Sequence, residues 1–596
     1  MAKEEIHIVE KEKIDAKWTY FIEIDFSSHL PRFIASSSEG LHVTSRSFRW
    51  GVALLVARRY INIHNVDRRF FHPTLQCEHP ERLVDREEVV ATVVYVKHTH
   101  KVFVDREWVG KYPIYHHCSN RKLVLSNRLD TLLERTYEPA TFSIESLILF
   151  FSFGFIPAPH SVFKDCYKIP SGASICWDLT SYRISLNHAP LIPVISETEP
   201  NAAEELENTL RSTITRELSD GKKGPVLLSG GLDSSLLAAM MAPLTNGDLE
   251  TLIFFDTNDD EIRQAGRFAR RIHSTHRKIK APAWELGYLS DVLFNMDEPN
   301  ADTMCFPLAY LMEKISGQSG YCWSSIGADD MFCSLYEHIA LHIWAGKTEE
   351  CCILDNLKNE KARTVIAQKL RSLNDSRNIY ESLANAFARV SCEDINAVLY
   401  PETSTERINA IRTNFIRNWL NKSDVPKEEA MRFSAKIRLP EQTMPVILAA
   451  ERMSNVEHIS PFTNKEIFFL SNRLSSENLV REGLGKLPVR DLGRRVLGSS
   501  EYRKTAHGGF SFSLVKFMEA NGDLKELFEN MDAPFIHMKT SRQWNRTFHQ
   551  ANGVDRFRYM TRLWFLLVWY LWSCRFITPK TTRRNGMIEN ISEGLR

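Results

Sequence analysis

A short run of serine, glycine and aspartate stands between two apolar segments in PVLLSGGLDSSLLAAM, residues 225–240. Gly230 and Gly231 have no Cβ atom, so the backbone N–H groups around them can approach an anion closely. A helix that begins here directs free N–H groups and a positive dipole end at that anion. Ser229 and Ser234 add hydroxyl donors. The pattern therefore predicts a phosphate-binding turn.

Asp233 lies inside the same run. A carboxylate repels phosphates unless a cation lies between the two, and Mg²⁺ is the cation that suits carboxylate and phosphate oxygens. A Walker A loop is excluded, because no lysine follows the glycines. The alternative is a plain Gly-Gly turn in which Asp233 is only a charge at a helix terminus. The complete strand–turn–helix pattern favours the phosphate site.

A strand, a turn and a helix must position these residues, and the flanking sequence provides them in order. PVLL predicts a buried strand that ends at Leu228, and LLAAMMAPL predicts a buried helix. Residues 251–255 predict the next strand and residues 261–272 the next helix, an alternation typical of an open parallel sheet. Upstream, Asn201 is a start signal for a helix. One face of that helix is predicted from apolar residues four apart: Leu206, Leu210, Ile214 and Leu218.

The chain of 596 residues is long enough for several domains. Short β-like runs fill residues 1–195, and a proline-rich segment separates them from residues 200–576. Beyond about residue 335 the sequence is mainly helical in character, and residues 577–596 are predicted to be a flexible polar tail. We therefore expect an α/β protein: a β-rich sandwich domain, then a parallel-sheet domain with a large helical portion.

Charge and cysteine content narrow the class of protein. Lys plus Arg (75) nearly equals Asp plus Glu (74), so a nucleic acid is not an expected partner. The charged N-terminus is unlike a signal peptide, and the longest apolar run, near residue 563, is too short to span a membrane. Eleven cysteines without C-x-x-C spacing predict neither zinc nor disulfides. We expect a cytoplasmic protein without a membrane or nucleic-acid partner.

SGGLDSS resembles the signature of the ATP pyrophosphatase (PP-loop) superfamily, and further segments resemble asparagine synthetase in order. These segments are DDEIRQAGRFARRIHSTH, MDEPNAD, SSIGADDMF, ERMSNVEHISPFTN, GKLPVR and RKTAHGGF. The resemblance implies an AMP-forming ATP-dependent carbon–nitrogen ligase with ATP and Mg²⁺ as cofactors. It further implies that Asp233 and Asp329 hold the metal and that Lys486 stabilises developing negative charge. Glu451 and Glu457 are candidates for a general base. Contacts to the nucleotide are expected from Leu228, Ser229, Gly230, Gly231, Asp233, Ser234, Phe254, Ser324, Ser325 and Gly327.

The first domain is similar to the glutaminase domain of the same family. DREWVGKYPIYH and SFGFIPAPHSVFKDCYKIPSG carry this resemblance. A working glutaminase needs an N-terminal cysteine nucleophile, and this sequence begins Met-Ala-Lys. We therefore expect an Ntn-type domain that is an inactive glutaminase.

An asparagine synthetase-like chain without that cysteine resembles the lasso-peptide macrolactam synthetases and the β-lactam synthetases. The first interpretation is favoured, because the helical region 336–434 is expanded and offers room for a peptide. It implies a precursor peptide as substrate and a leader-peptide protease as partner in antibiotic biosynthesis. The alternatives are a small-molecule amide ligase and a catalytically inactive peptide-binding homologue. Ile326, where relatives often hold an acidic residue or tyrosine, favours the inactive homologue.

Overall fold

A computed structural model of the chain divides into two compact units. Unit 1 comprises residues 1–146, 156–192 and 435–448, and unit 2 comprises residues 147–155, 193–434 and 449–596. Each unit therefore contains a short segment from a distant part of the sequence. The structure describes residues 8–10, 19–25, 32–38, 41–48, 51–57, 89–119, 121–136, 141–187, 201–255, 259–344, 360–374, 376–400, 403–420, 430–481, 484–502, 514–520 and 522–577.

Unit 1 is built from two sheets. The first has the order β1-β3-β2-β9-β8-β10 and the second the order β12-β11-β7-β6-β5-β4. Apart from the parallel pair β1 and β3, the neighbouring strands are antiparallel. The strands are β1 Ile8–Glu10, β2 Tyr20–Asp25, β3 Arg32–Ser37, β4 His42–Phe48, β5 Gly51–Ala57, β6 Val89–Val96, β7 Lys101–Arg106, β8 Tyr115–Ser119, β9 Lys122–Ser126, β10 Cys166–Lys168, β11 Ser174–Asp178 and β12 Arg183–Asn187.

One apolar cluster joins the two sheets of unit 1. Ile22 on β2 and Leu125 on β9 belong to it from the first sheet, and Leu54 on β5 and Val93 on β6 belong to it from the second. Alternate residues of a strand point to opposite faces, so such a cluster forms where two sheets pack face to face. Leu448, from the third segment of unit 1, completes the same cluster. The expected β-rich sandwich is confirmed.

Unit 2 contains a five-stranded sheet in which every neighbouring pair is parallel. Its order is β15-β14-β13-β16-β17. The strands are β13 Val226–Leu227, β14 Glu250–Phe255, β15 Thr275–Lys280, β16 Tyr321–Trp323 and β17 Glu457–Ile459. Because β13 is central, the loop that follows it lies between the loops that follow its neighbours. The expected parallel-sheet domain is confirmed.

Helices account for most of the remaining described residues. In chain order they are α1 Leu129–Arg135, α2 Ile144–Phe153, α3 Ala202–Ser219, α4 Leu232–Met241, α5 Asp259–Arg271, α6 Leu286–Phe294, α7 Cys305–Ile315, α8 Ala328–Met331, α9 Tyr336–Trp344, α10 Glu360–Asn374, α11 Ile379–Phe387, α12 Cys392–Val398, α13 Thr405–Leu420, α14 Met444–Ser454, α15 Lys465–Arg473, α16 Ser476–Leu479, α17 Leu487–Leu497, α18 Ser499–Tyr502, α19 Leu514–Ala520, α20 Asp523–Asn530, α21 Met538–Gln550 and α22 Gly553–Ile577. A π-helix covers Ser434–Thr443, and 3₁₀ turns cover Ala242–Leu244 and Pro461–Thr463.

The strand and helix predictions around the glycine turn are confirmed by β13, α4, β14 and α5. The predicted upstream helix is α3, whose buried face includes Leu206, Leu210 and Ile214. The proline-rich segment at 190–200 and the polar tail beyond residue 577 lie outside the described residues. The domain boundaries at residues 195 and 200 therefore stay a prediction. Among the described residues, no helix is both long enough and apolar enough to cross a bilayer.

Candidate active site

The predicted phosphate-binding turn connects β13 to α4. Gly230 has a left-handed φ of 78°, and Gly231 is the extended residue that immediately precedes the helix. A Cβ atom at Gly230 would lie 3.0 Å from the backbone nitrogen of Ala265, so a side chain there would be strained in both conformation and space. Leu228, just before the turn, is buried, and its N–H donates to the carbonyl of Leu252. The strand register thus fixes where the turn begins.

The serines of this turn bond to one another and to its backbone. The N–H of Ser229 donates to the Ser234 hydroxyl at 3.2 Å, and the two hydroxyl oxygens are 3.1 Å apart. The N–H of Gly231 donates to the Ser229 hydroxyl at 3.3 Å. These contacts hold the shape of the turn. The N–H groups of the first helical turn have no acceptor within the helix, which leaves them to an anion.

The second predicted loop follows β16, the strand beside β13. Ser324 is its first residue, and Gly327 adopts a left-handed φ of 97° before α8 begins. The N–H of Ala328 donates to the carbonyl of Ser325 at 3.3 Å. This turn places Asp329 in the first turn of α8.

Sequence reasoning missed the residue that anchors this second loop. The Ser324 hydroxyl is 2.7 Å from Nε2 of His458 on β17 and accepts the N–H of Ile326 at 3.1 Å. The N–H of His458 in turn donates to the Glu451 carboxylate at 2.7 Å. The sequence signal was the motif ERMSNVEHISPFTN, which contains both Glu451 and His458 but indicates no contact for either.

Three charged side chains meet beside the two loops, and we call them the carboxylate–lysine centre: Asp233, Asp329 and Lys486. The Lys486 ammonium donates to Oδ2 of Asp233 and lies 2.7 Å from Oδ1 of Asp329. The side chains of Lys486 and Asp233 are 9% and 15% exposed, whereas that of Asp329 is 54% exposed. The centre is therefore closed on the Asp233 side and open on the Asp329 side.

The backbone holds Lys486 in an uncommon conformation. It has a left-handed φ of 61° at the start of α17, and its N–H donates to the carbonyl of Phe332 at 2.9 Å. A Cβ atom at the preceding Gly485 would lie 2.2 Å from the carbonyl oxygen of Cys333, which restricts that position to glycine. Arg490, one turn into α17, donates from Nε to the Gly485 carbonyl at 2.8 Å.

Burial and charge oppose each other in this centre. Burial alone would lower the pKa of Lys486, but the carboxylates of Asp233 and Asp329 prevail and raise it, so the ammonium stays charged. Burial raises the pKa of Asp233, Lys486 lowers it, and Asp329 raises it further. Arg490 lowers it as well, so this guanidinium offsets part of the negative charge that two ionised carboxylates and one ammonium leave.

The residues of the centre fit a Mg²⁺ ion. Carboxylate oxygens are its usual protein ligands, and Oδ1 of Asp233 is buried without a hydrogen-bond partner. Two carboxylates with phosphate oxygens and water form a typical magnesium donor set. Among the described residues, no group of three or more His, Cys, Asp or Glu could hold a metal. The assignment of Asp233 and Asp329 as ligands stays a prediction.

The other residues singled out by sequence have defined positions. Phe254 lies near the end of β14 and is 8% exposed. Glu457, a candidate base, is paired with the Lys222 ammonium at 2.9 Å, and Glu451 is fully buried. The pairing and the burial favour structural roles for both glutamates. The basic loop RKTAHGGF lies outside the described residues.

Two matching family models define the class of protein. The asparagine synthase model matches residues 205–568, and a glutamine amidotransferase domain model matches residues 80–185. The first match covers more than half of the chain, so the chain belongs to the asparagine synthase family. The expected resemblance and the expected ATP-dependent ligase are confirmed. The roles of individual site residues stay a prediction.

Relatives with curated names are distant. "Putative asparagine synthetase [glutamine-hydrolyzing] 2" of Methanocaldococcus jannaschii is 23% identical over 363 residues, which are 57% of this chain and 67% of that protein. "Carboxyethyl-arginine beta-lactam-synthase" of Streptomyces clavuligerus is 27% identical over 169 residues, 27% of this chain and 33% of that protein. "Asparagine synthetase [glutamine-hydrolyzing] 1" of Bacillus subtilis is 22% identical over 249 residues, 41% of this chain and 39% of that protein.

Proposed function

We propose that the chain forms an amide bond through an acyl-adenylate. A substrate carboxylate oxygen attacks the α-phosphorus of ATP, the bond to the β-phosphate oxygen breaks, and pyrophosphate leaves. An amine nitrogen then attacks the acyl carbon, loses a proton, and AMP leaves. The observation that carries this proposal is the carboxylate–lysine centre beside the glycine turn.

Each part of the centre has a task in the first step. Backbone N–H groups around Gly230 and Gly231 bind the phosphates that become pyrophosphate, because they are donors fixed in place before the reaction. Lys486 donates to the same oxygens as their charge grows. A Mg²⁺ ion held by Asp233 and Asp329 would supply further neutralisation of that charge. Asp233, which is largely buried, orients Lys486 when the phosphates are absent.

For the substrate we favour ring closure within a ribosomal precursor peptide, in which the peptide supplies both carboxylate and amine. Support comes from the helices α9 to α13, which the described residues form between strands β16 and β17 of the sheet. A leader-peptide protease and a role in lasso-peptide antibiotic biosynthesis belong to the same proposal. The similarity to a β-lactam-synthase favours a second candidate, closure of a small ring in a small molecule.

ATP–pyrophosphate exchange tests the ligase proposal. With an authentic carboxylate substrate, wild type should exchange radiolabelled pyrophosphate into ATP, and Asp233→Asn should reduce the rate by roughly 100-fold or more. Asp555→Asn is the matched control, because the Asp555 side chain is 71% exposed on α22. Mass spectrometry should show that the product is lighter than its substrate by one water, as ring closure requires. Parallel assays with a precursor peptide and with small amino acids show which class of substrate is converted.

Two outcomes would count against catalysis. Tight peptide binding by wild type without exchange for any carboxylate partner would favour the inactive homologue. Equal exchange rates for wild type and Asp233→Asn would remove the carboxylate–lysine centre from the mechanism.

A further inference from the structure

Four aromatic side chains lie beyond the carboxyl ends of two sheet strands, and we call them the aromatic platform: Phe254, Trp284, Tyr288 and Tyr310. Phe254 is the penultimate residue of β14, and Trp284 follows β15 by four residues. Tyr288 is on α6 and Tyr310 on α7. Phe254 is buried, whereas the other three are only partly covered. Partly covered aromatic rings in one cluster offer apolar surface to a ligand.

The rings of the platform contact one another. The Trp284 ring centroid lies 6.1 Å from that of Phe254, 5.9 Å from that of Tyr288 and 5.7 Å from that of Tyr310. The Phe306 ring, 5.7 Å away, also packs against Trp284. Trp284 and Tyr310 each contact the other three rings of the platform. Trp284 also contacts Phe306, so neighbours on several sides fix its orientation.

The outer members of the platform are held by charged groups. The Tyr288 hydroxyl donates to the Glu313 carboxylate at 2.8 Å, and the Lys314 ammonium lies 5.0 Å from the centroid of Tyr310. These contacts occupy the polar end of Tyr288 and part of the Tyr310 ring. They support Trp284 as the ring that meets a ligand.

Strand register places the platform at the same sheet edge as the phosphate-binding turn. Leu227 on β13 pairs with Leu252 on β14, so Phe254, two residues further, lies level with Ser229 at the start of the turn. Phe255 pairs with Lys280 at the end of β15. In a parallel sheet the carboxyl ends of neighbouring strands share one edge, where ligands of open α/β sheets bind.

We propose that Trp284 stacks on the adenine ring of ATP and so positions the nucleotide; this inference rests on the proposed function. A phosphate chain bound at the glycine turn extends its base along the sheet edge, toward Phe254 and the platform. Adenine is a flat aromatic ring, and base–aromatic stacking is a favourable interaction that does not require hydrogen bonds. Phe254 and Tyr310 contact the indole and act as positioning residues.

Equilibrium binding of three probes tests the proposal: a non-hydrolysable ATP analogue, AMP, and pyrophosphate, which has no base. Trp284→Leu keeps an apolar side chain but removes the aromatic ring, and Trp284→Phe keeps a smaller ring. We expect Trp284→Leu to raise the Kd of the analogue and of AMP on the order of tenfold. Trp284→Phe should have a smaller effect, and the Kd of pyrophosphate should not change. Tyr400→Ala, at a 59% exposed aromatic residue, is the control.

The outcomes separate this inference from the proposed function. Wild type that binds neither ATP analogue nor AMP overturns the proposed function and this inference with it. Wild type that binds both, with unchanged affinities in Trp284→Leu, overturns only the stacking role. If Trp284→Leu raised the Kd of AMP and of pyrophosphate equally, the stacking role would also be overturned. Pyrophosphate has no base, so an equal effect would indicate a general loss of structure. Circular dichroism and urea unfolding of each variant complete the comparison.

Discussion

Lys486 reaches its two carboxylates from a left-handed backbone conformation that few non-glycine residues adopt. Such a conformation persists only when its surroundings hold it. Here the Phe332 carbonyl accepts the Lys486 N–H, and the backbone at Gly485 packs closely against the Cys333 carbonyl. The lysine is thus placed by its main chain rather than by side-chain packing alone. Removal of its charge should therefore affect the site more than the fold around it.

Substitution of Lys486 by methionine should lower ATP–pyrophosphate exchange by roughly 100-fold, because a donor to the developing charge is lost. It also removes the ammonium that contacts both Asp233 and Asp329. Mg²⁺ should then raise the melting temperature of Lys486→Met more than that of wild type. Lys525→Met, at an exposed lysine of α20, is the control. An equal Mg²⁺ effect on all three proteins would contradict the metal assignment.

At the residue scale, local patterns predicted groups whose neighbours are close in sequence. The glycine turn follows from Ser229 to Ser234, because its contacts span at most five residues. The Ser324–His458 contact could not be predicted, because its partners are 134 residues apart and neither is unusual alone. The roles proposed for Asp233, Asp329 and Lys486 follow from resemblance, and the structure brings the three side chains together.

At the element scale, the π-helix Ser434–Thr443 belongs almost entirely to unit 1. Its Glu441 accepts from Arg106 at 2.8 Å and pairs with Lys168 at 2.9 Å. All three side chains are at most 3% exposed. Arg106 also donates to three backbone carbonyls, those of Gly110, Tyr112 and Ile169. A charge cluster of this kind fixes one arrangement of the segment, because any other leaves a buried charge unpaired.

Glu441→Gln should therefore destabilise unit 1 by about 3–5 kcal/mol, since it removes the buried carboxylate that Arg106 and Lys168 share. Urea unfolding near neutral pH measures the change, with Glu134→Gln on the exposed face of α1 as control. Burial raises the pKa of Glu441, but Lys168 and Arg106 prevail and lower it. Its contribution is therefore lost as pH falls below about 4.5, and the difference between wild type and Glu441→Gln should narrow there. If the unfolding free energies of wild type and Glu441→Gln differed by the same amount at every pH, the stabilising role of the ionised Glu441 carboxylate would be contradicted.

Element prediction succeeded where periodicity was strong and local. The four-residue spacing of apolar residues from Leu206 to Leu218 lies entirely within α3. Asn201 precedes α3 as expected, but its side chain makes no capping hydrogen bond, and its carbonyl accepts from the N–H groups of Glu204 and Glu205 instead. The π-helix could not be predicted, because its stability depends on partners far away in sequence. Glu441 and its partner Arg106, for example, are 335 residues apart.

At the scale of the whole molecule, one buried carboxyl makes the stability of unit 1 depend on pH. In unit 1, burial raises the pKa of Asp105 to about 7, although the Thr92 hydroxyl, which donates to its carboxylate at 2.6 Å, lowers it. A folded-state pKa above the unfolded value favours the folded state at low pH. That contribution is lost as pH rises toward about 7.

Asp105→Asn should therefore stabilise unit 1 relative to wild type above about pH 7, and the advantage should disappear as pH falls toward about 4. Urea unfolding at several pH values between these limits measures it. Asp165→Asn is the control, because Asp165 is exposed and asparagine tolerates its left-handed φ of 61°. If the difference in unfolding free energy between Asp105→Asn and wild type did not change with pH, titration of Asp105 would not explain it.

Fold class followed from sequence because alternation of strands and helices is a local property. Which segments belong to which unit could not be predicted from sequence. Residues 147–155 and 435–448 join units whose other residues are distant in the chain. Their apolar character predicts burial but not which core receives them. Leu448 is an example, since nothing beside it in sequence indicates a place among the strands of unit 1.

The membership of residues 435–448 in unit 1 has a practical consequence for anyone who expresses the halves separately. A fragment that stops at the proline-rich segment would lack Leu448 and would also lack Glu441, the carboxylate that Arg106 and Lys168 share. The complementary fragment would contain residues 435–448 without the strands of unit 1 against which they pack. Truncation there should yield aggregates, whereas co-expression of both pieces should allow each to supply what the other lacks.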